Sequence, residues 1–207
     1  ETESFEELPD LLEWADVLCI GCGLGMGPHS EELLKKVLEN NKTPAVIDAD
    51  GLNLLSKTDE WGIEQIRMNP SGYVLTPHMK EMSRLTGYSV QELKDNRREL
   101  LRKYTEKVHA VCVLKDSRTL VKAPEGRLMI NTTGNAAMAG SGDVLAGMIT
   151  GLMAQHMRPD DAAVLGVYLH GLCGDHARKE LGSYSVLAGD LLKMLGRTLK
   201  ELEDMTE

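Results

Sequence analysis

Residues 16–47, DVLCIGCGLGMGPHSEELLKKVLENNKTPAVI, decide the fold class that the sequence predicts. The apolar run Asp16 to Ile20 predicts a buried strand, and a glycine-rich turn follows it. In Ser30 to Leu38, a Ser followed by Glu and apolar residues three to four positions apart predict a capped amphipathic helix. The apolar run Pro44 to Ile47 predicts a second strand. Short strands that alternate with helices are typical of an α/β fold.

The rest of the chain continues this alternation. It predicts a three-layer α/β/α sandwich around a mostly parallel sheet, and we expect residues 1–207 to form one domain. Two further strands are predicted at Tyr73 to Leu75 and His109 to Leu114. A hairpin is predicted around Pro-Glu-Gly, from Thr119 to Lys122 and Leu128 to Ile130. Helices are predicted at Val90 to Val108, Asp143 to Ala154, Asp160 to Arg178 and Leu187 to Leu202.

Composition and charge exclude two classes of function. The 207 residues include 23 Lys and Arg against 32 Asp and Glu, a formal net charge of −9. General nucleic-acid binding is not expected, because it needs a local cluster of positive charge. A nucleotide-sized ligand is still allowed, since backbone amides at a helix start bind phosphate without net charge. The run Val144 to Ala154 has about eleven residues against the ~20 of a membrane span, so no span is expected.

The four cysteines are expected to be structural thiols. Cys19 and Cys22 form a C-x-x-C pair, but no second pair and no His pair completes a zinc site. Cys112 and Cys173 lie far from them in the sequence. A redox or metal role for the pair is the alternative. Reduced thiols predict a cytoplasmic protein.

Residues suited to binding follow each predicted strand. Ligands of open α/β folds lie beyond the carboxyl ends of the strands, so this placement predicts a site there. The residues in question are Gly21 to Gly25, Asp48 and Asp50, Thr76 and His78, and Lys115.

The glycine-rich run from Gly134 to Gly142 precedes a predicted helix. Small residues let a phosphate approach the backbone, and the helix start supplies unpaired amides and the positive end of the dipole. Asp143 in the first turn would repel a phosphate. It is therefore either an N-cap or a general base that deprotonates a hydroxyl before phosphoryl transfer. The local sequence leaves both interpretations open.

Each remaining motif has a structural interpretation and a functional one. Residues 21–25 form a tight turn or a ligand-binding turn. For Asp48 and Asp50, the structural interpretation is that one of them caps a helix that starts near Leu52. The functional interpretation is that one of them binds either Mg²⁺, through water, or a ribose hydroxyl. Lys115 either leads into the hairpin or contacts phosphate. His78 and Glu81 are one helical turn apart and can face one cleft, whereas His170 and His176 are expected to be structural or exposed.

Taken in order, these motifs resemble the ADP/ATP-dependent NAD(P)H-hydrate dehydratases of the ribokinase-like superfamily. The resemblance covers Asp16 to Asp190. It is carried by TGN, MA and GSGDVLAG, together with IGCGLG, VIDADGLNLL, LTPHMKEMSRLTG and VLKDSRTLV. It implies a metabolite-repair enzyme whose substrate is hydrated NADH or NADPH, with ADP or ATP and Mg²⁺ as cofactors. The nucleotide would phosphorylate the C6 hydroxyl of the substrate, and elimination of phosphate would restore the dihydronicotinamide.

The resemblance also implies roles for individual residues. Asp143 would be the catalytic base, and the amides of Gly140, Ser141 and Gly142 would stabilise the transferring phosphoryl group. Substrate contacts would come from Gly23, Gly25, His78 and Asp143, with Asp48, Asn53 and Glu81 acting through Mg²⁺ and water; no metal ligand is assigned with certainty. The nucleotide site would include Lys115, Asp116, Ser117, Arg118, Thr119, Asn131, Gly134 and Asn135, in addition to the three amides.

The resemblance also implies a homo-oligomer, since related enzymes are often tetramers. Two differences from the family accompany it. The family has a Gly/Ala-rich segment before the Asp16 strand, which we expect this domain to lack, and a slightly longer loop before Gly140. A true deletion there would displace the anion-binding amides, whereas a piece missing from the sequence would indicate a mobile phosphate loop. The alternatives are a small-molecule hydroxyl kinase of the same superfamily and a non-catalytic nucleotide-binding protein.

Overall fold

A single six-stranded sheet organises the part of the chain that the computed structural model describes, residues 5–134 and 140–205. The strands lie in sequence order across the sheet. Neighbours from β1 to β4 are parallel, and β5 and β6 complete the sheet as an antiparallel hairpin. The predicted mostly parallel α/β sheet is confirmed. The strands are β1 (Leu18–Ile20), β2 (Ala45–Ile47), β3 (Tyr73–Leu75), β4 (Val111–Leu114), β5 (Leu120–Lys122) and β6 (Leu128–Ile130).

Helices cover both faces of this sheet. Residues alternate between the two faces of a strand, so Ile47 and Leu75 pack into one core while their neighbours Val46 and Val74 pack into the other. The helices that connect β1 to β4 cover the first face: α2 (Pro28–Asn40), α3 (Ala49–Leu55), α4 (Asp59–Met68), α5 (Met79–Thr86) and α6 (Val90–Val108). Helices α7 (Ser141–Ala154) and α8 (Pro159–Leu181) cover the second face, and α9 (Ala188–Asp204) packs on both of them.

Some boundaries differ from the predicted ones. The strand predicted from Asp16 is present but begins at Leu18, and its predicted burial is wrong: Cys19 is exposed, because β1 forms the edge of the sheet among the described strands. Three helices of ten residues or fewer were not predicted, namely α1 (Leu8–Trp14), α4 and α5. Such short segments show too few turns for a clear hydrophobic period.

The carboxyl ends of β1 to β4 meet at one edge of the sheet. The N-terminus of α7 reaches the same edge, because Gly142 in its first turn lies next to the side chains of Asp48 after β2 and Lys115 after β4. The predicted binding residues after the strands therefore lie on one side of the molecule. Within the described residues, no helix is long and apolar enough to cross a membrane.

Candidate active site

The turn at residues 21–25 is held closed by the chain that follows β2. Gly21 has a φ of +122°, and a Cβ at this position would lie 1.9 Å from the carbonyl oxygen of Asp48. Only glycine fits such a close approach of two backbones. The amide of Gly25 donates to Oδ2 of Asp50 at 2.9 Å. Asp50 therefore has a structural partner in this turn.

Asp48 lies at the end of β2 and forms a buried ion pair. Its side chain is only 1% exposed, and Oδ1 accepts a hydrogen bond from Nζ of Lys115 at 2.5 Å. Asp48 occupies the N-cap position of α3, but its side chain makes no capping hydrogen bond. Burial of a carboxylate requires a compensating partner, and Lys115 from the end of β4 supplies it.

Helix α7 begins with an open first turn. Gly140 is its N-cap residue, in the left-handed region at a φ of +81°, and as a glycine it has no side chain to cap the helix. The first amides of a helix lack intrahelical partners and carry the positive end of its dipole, so this turn suits an anion. Asp143 is the third helical residue, not the N-cap. The capping interpretation of Asp143 is therefore wrong.

The two glycine-rich turns meet at a small cluster of side chains. Ligand atoms of Cys22, Asp48 and Asp143 all lie within 4.8 Å of one another. A Cβ on Gly142 would lie 3.3 Å from Nζ of Lys115 and 3.6 Å from Oδ2 of Asp48. The base candidate, the lysine and the start of α7 are thus neighbours in space, although more than ninety positions separate Asp48 from Asp143 in the sequence.

Cys22 is a protonated thiol at neutral pH. Desolvation of its sulfur, the charge of Asp48 and a hydrogen bond with Asp143 raise the pKa of Cys22 to about 12. Desolvation also raises the pKa of Cys19. A raised pKa removes the thiolate that redox chemistry requires. The prediction of unreactive thiols agrees with this environment, although both residues are exposed rather than buried.

His78 and Glu81 form a reciprocal cap at the start of α5. Nδ1 of His78 accepts from the amides of Lys80 and Glu81 at 3.0 and 3.2 Å, and Oε2 of Glu81 accepts from the His78 amide at 2.7 Å. Since Nδ1 accepts, the ring proton of neutral His78 is on Nε2, 3.3 Å from Oε1 of Glu81. Burial raises the pKa of Glu81, and the hydrogen bond from His78 partly opposes this.

Two further predicted residues pair with surface arginines. Oδ1 of Asn53 accepts from Arg84 at 2.7 Å. Oδ2 of Asp116 accepts from Arg97 of α6 at 3.1 Å. Glu81 is not part of the cluster of Cys22, Asp48 and Asp143, but the charges of Lys115 and Asp48 both act on its pKa. That Asp48, Asn53 and Glu81 act through Mg²⁺ and water stays a prediction.

A cavity of about 580 Å³ lies between the end of β4 and the start of α7. Nine of the predicted site residues line it: His78, Lys115, Asp116, Ser117, Thr119, Asn131, Gly134, Ser141 and Gly142. Asp143 and Gly140 lie beside it in α7. The cavity lining does not include Gly23, Gly25, Asn53, Glu81 or Arg118, and Asn135 lies outside the described residues.

Sequence reasoning missed the contribution of α8 to this cavity. Val167, His170 and Gly171 line it from that helix. Nε2 of His170 lies 2.9 Å from the carbonyl oxygen of Ser141. A signal was present, since Gly171 directly follows His170 inside an apolar helix, and a glycine at such a position often marks a close backbone approach.

A three-layer α/β sandwich with an open helix start, a lysine and a carboxylate around one cavity places the chain in the ribokinase-like class. The chain shares this fold with a ribokinase-like superfamily protein from Enterococcus faecalis V583, with a TM-score of 0.79, 32% identity, and coverage of 94% of this chain and 66% of that one. A sequence profile described as NAD(P)H-hydrate dehydratase matches residues 1–197. The chain belongs to this family.

Two relatives bear on function. The chain is 42% identical, over 99% of its length, to the bifunctional NAD(P)H-hydrate repair enzyme Nnr of Moorella thermoacetica, of which it covers 38%. It is also similar to the ADP/ATP-dependent NAD(P)H-hydrate dehydratase from Bacillus subtilis, co-crystallised with ATP/Mg²⁺ and soaked with CoA. That match has a TM-score of 0.76 and 32% identity, and covers 90% of this chain and 66% of that one. The chain thus spans about two fifths of the length of the bifunctional relatives.

Proposed function

We propose that residues 1–207 form one nucleotide-dependent dehydratase domain that converts hydrated NADH or NADPH, the S epimer, back to NAD(P)H. One observation carries the proposal. Asp143 stands in the first turn of α7, where it caps nothing, next to Asp48 and at the edge of a cavity that Lys115 lines. A carboxylate beside an anion-binding helix start suits a base that activates a hydroxyl for phosphoryl transfer.

Asp143 would take the proton of the C6 hydroxyl as that oxygen attacks the terminal phosphoryl group of ADP or ATP. An oxygen–phosphorus bond forms, and the bond from that phosphorus to the nucleotide breaks. The lone pair of the ring nitrogen then expels phosphate from C6, and loss of a proton from C5 restores the double bond. Phosphate leaves where hydroxide would leave poorly, which explains why the reaction needs a nucleotide.

The remaining chain contributes electrostatic stabilisation. The amides of Gly140, Ser141 and Gly142 at the start of α7 would donate hydrogen bonds to the transferring phosphoryl group. The positive end of the helix dipole would stabilise its negative charge. Lys115 would add a positive charge at the same place, and its pairing with Asp48 keeps the ammonium oriented before a ligand binds. Asp116, Ser117, Arg118, Thr119, Asn131, Gly134 and Asn135 are proposed to complete the nucleotide site.

Asp48 and Asp143 would hold Mg²⁺ together with the nucleotide phosphates. The donor set fits, since their carboxylate oxygens lie within 4.8 Å of each other, and Mg²⁺ usually binds one or two carboxylates plus phosphates. When bound, the ion neutralises charge on the phosphates. Asn53 and Glu81 are proposed to act through water bound to Mg²⁺, with Asn53 held by Arg84 and Glu81 held by the amide of His78.

Gly23, Gly25 and His78 are proposed to contact the substrate, and His78 lines the cavity. We also propose a cytoplasmic enzyme, supported by four free cysteines, which suit a reducing compartment. We also propose that the protein is a homo-oligomer, a tetramer by resemblance to the family. Light scattering of the purified protein tests this. A molar mass equal to one chain would exclude it.

The activity is tested with the full-length protein, hydrated NADH, Mg²⁺ and either ADP or ATP, by following the absorbance of the reduced nicotinamide. Recovery should depend on a nucleotide and should fall about 10²- to 10⁴-fold in Asp143→Asn, the usual loss when a general base is removed. Asp161→Asn is a matched control, because Asp161 is the third residue of α8 and lies in the first turn of its helix. It should retain activity.

Two outcomes would contradict the proposal. If hydrated NADH is not consumed with either nucleotide although the nucleotide binds, the protein is not this dehydratase. If a stable phosphorylated product accumulates instead of free phosphate and NADH, the protein is a hydroxyl kinase of the same class.

A further inference from the structure

Helix α8 holds residues 131–134, the part of the chain that follows β6. The Gly134 amide donates to Oδ2 of Asp175 at 3.0 Å. The Thr133 hydroxyl lies 3.3 Å from the carbonyl oxygen of Tyr168, and the Asn131 side-chain amide lies 3.4 Å from that of Val167. Residues 131–134 are therefore bonded to α8 at successive points.

The same helix holds the start of α7. Nε2 of His170 lies 2.9 Å from the carbonyl oxygen of Ser141. A carbonyl only accepts, so Nε2 must carry the ring proton and donate it. Burial lowers the pKa of His170, and the positive charge of Lys115 lowers it further, so the ring is neutral at pH 7. His170 thus fixes the first turn of α7 with one neutral hydrogen bond.

Two glycines bring the chain and α8 into direct backbone contact. A Cβ on Gly134, which has a φ of +52°, would lie 2.1 Å from the carbonyl oxygen of Gly171. A Cβ on Gly171 would lie 2.4 Å from the Thr133 hydroxyl. Two backbones that pack without intervening side chains have little freedom to shift. The hydrogen bonds of Asp175 and His170 therefore orient a part of the chain that is already rigidly packed.

We propose that His170 and Asp175 are positioning residues for nucleotide binding: from α8, they hold Ser141 and Gly134, two residues that line the cavity, so that the first amides of α7 face the phosphates. The inference rests on the nucleotide site of the proposed function. Neither residue needs to touch the reacting atoms. Asp175 holds Gly134, and His170 holds Ser141. The two α8 residues are about 7.5 Å apart along the helix axis, at 1.5 Å per residue.

The expected signature is a loss of nucleotide affinity with little change toward the other substrate. His78 and the turn at 21–25, which are proposed to contact hydrated NAD(P)H, make no described hydrogen bond with His170 or Asp175. Removal of one hydrogen bond that orients a charged ligand's site should weaken ADP binding about tenfold. The KM for hydrated NADH should stay within about twofold. A general loss of folded protein would lower the apparent kcat and would leave the ADP affinity unchanged, so the weaker ADP binding is the result that identifies a positioning role.

Matched pairs of variants in the full-length protein test this. His170→Gln keeps a donor near the position of Nε2, whereas His170→Leu removes it. Asp175→Asn keeps an oxygen that accepts from Gly134, whereas Asp175→Ala removes it. Titration calorimetry with ADP and with ATP gives the affinities, and thermal unfolding shows that each variant folds. The Gln and Asn variants should bind nucleotide within about threefold of the wild type, and the Leu and Ala variants about tenfold more weakly.

The inference is overturned if the Leu and Ala variants bind ADP as the wild type does. It is also overturned if the Gln and Asn variants lose as much affinity as their partners, or if the wild type binds neither nucleotide. Should His170→Leu fail to fold, the Asp175 pair alone gives the same decision. A wild type that binds ADP but does not dehydrate the substrate refutes the proposed function and leaves the inference standing.

Discussion

Two glycine-rich turns meet at the site, and they are built in opposite ways. The turn at residues 21–25 follows β1, and the turn at Gly140 to Gly142 begins α7. In the first turn, the Gly25 amide is already bonded to the carboxylate of Asp50. In the second turn, the N-cap residue is Gly140, which has no side chain to cap the helix. The first turn is closed by the protein's own acid, and the second is left open to an anion.

The difference lies in how soon a helix begins after each turn. Helix α2 begins only at Pro28, three residues beyond Gly25, whereas α7 begins one residue after Gly140. Only the second turn therefore places a helix dipole directly behind its amides. In the proposed function, two similar glycine patterns thus have different roles, and the hydrogen-bond partners at each turn distinguish them.

The largest expected effect concerns the closed turn. Gly21→Ala should destabilise the protein by more than about 4 kcal/mol or prevent folding, because the new Cβ would lie 1.9 Å from a backbone oxygen that cannot move aside. Gly23→Ala is the control: its φ is +68°, and no heavy atom lies within 4 Å of the place that the new methyl group would take. It should cost only the ~1–2 kcal/mol of a left-handed alanine. Urea unfolding of both variants measures this, and equal losses would show that Gly21 is not the closing contact.

The second prediction tests the open turn. Lys115→Met should weaken ADP binding about ten- to hundredfold, because a charge-assisted hydrogen bond contributes about 1.5–3 kcal/mol. It also leaves the buried Asp48 without a partner, so the variant should be less stable. The double variant Lys115→Met, Asp48→Asn should regain stability but not affinity. Calorimetry and urea unfolding separate the two effects, and a double variant that regains nucleotide affinity would refute the role of Lys115.

The sequence predicted much of the fold and the residues after each strand. The boundaries of α6 agree at both ends, because Ser89 and Glu92 form a capping box that the sequence carries locally. The nine predicted residues that line the cavity lie close to strand ends or in the first turn of α7. These features depend on strand ends and turns, which short-range patterns reveal.

Features that depend on packing were predicted poorly. The prediction that β1 is buried was wrong, because the residues of a strand do not show whether it lies at the edge or in the middle of a sheet. The partners of Glu81 and Asn53 were missed, since a His used as an N-cap and an Arg from another helix give no local signal. The role of His170 at the cavity was missed because its partner Ser141 lies twenty-nine positions away, and Gly171 marks only the place of a close contact and not what it contacts.

A smaller effect is expected where a carboxylate closes the first turn. Asp50→Ala removes the acceptor of the Gly25 amide and should lower the free energy of unfolding by about 1 kcal/mol. ADP affinity should not change, because Asp50 serves only the closed turn. Asp50→Asn keeps an acceptor and should lie near the wild type. If Asp50→Ala instead weakens ADP binding tenfold, the two turns are not separate in function.

The smallest expected effect is a pH dependence of the free energy of unfolding that comes from His170, which contacts the open turn. Burial lowers the pKa of His170 in the folded state, so this group binds fewer protons folded than unfolded. Its contribution to stability is unaffected well above the unfolded pKa of about 6.5 and falls as the pH drops through that value, because only the unfolded chain takes up the proton. The loss stops once the pH is below the lowered folded pKa. His170→Gln has no such group, so wild type should lose stability relative to this variant between about pH 7.5 and about pH 5.5. Urea unfolding across that range measures the difference, and a difference that stays constant with pH would show that the ring donating to Ser141 is not buried in solution.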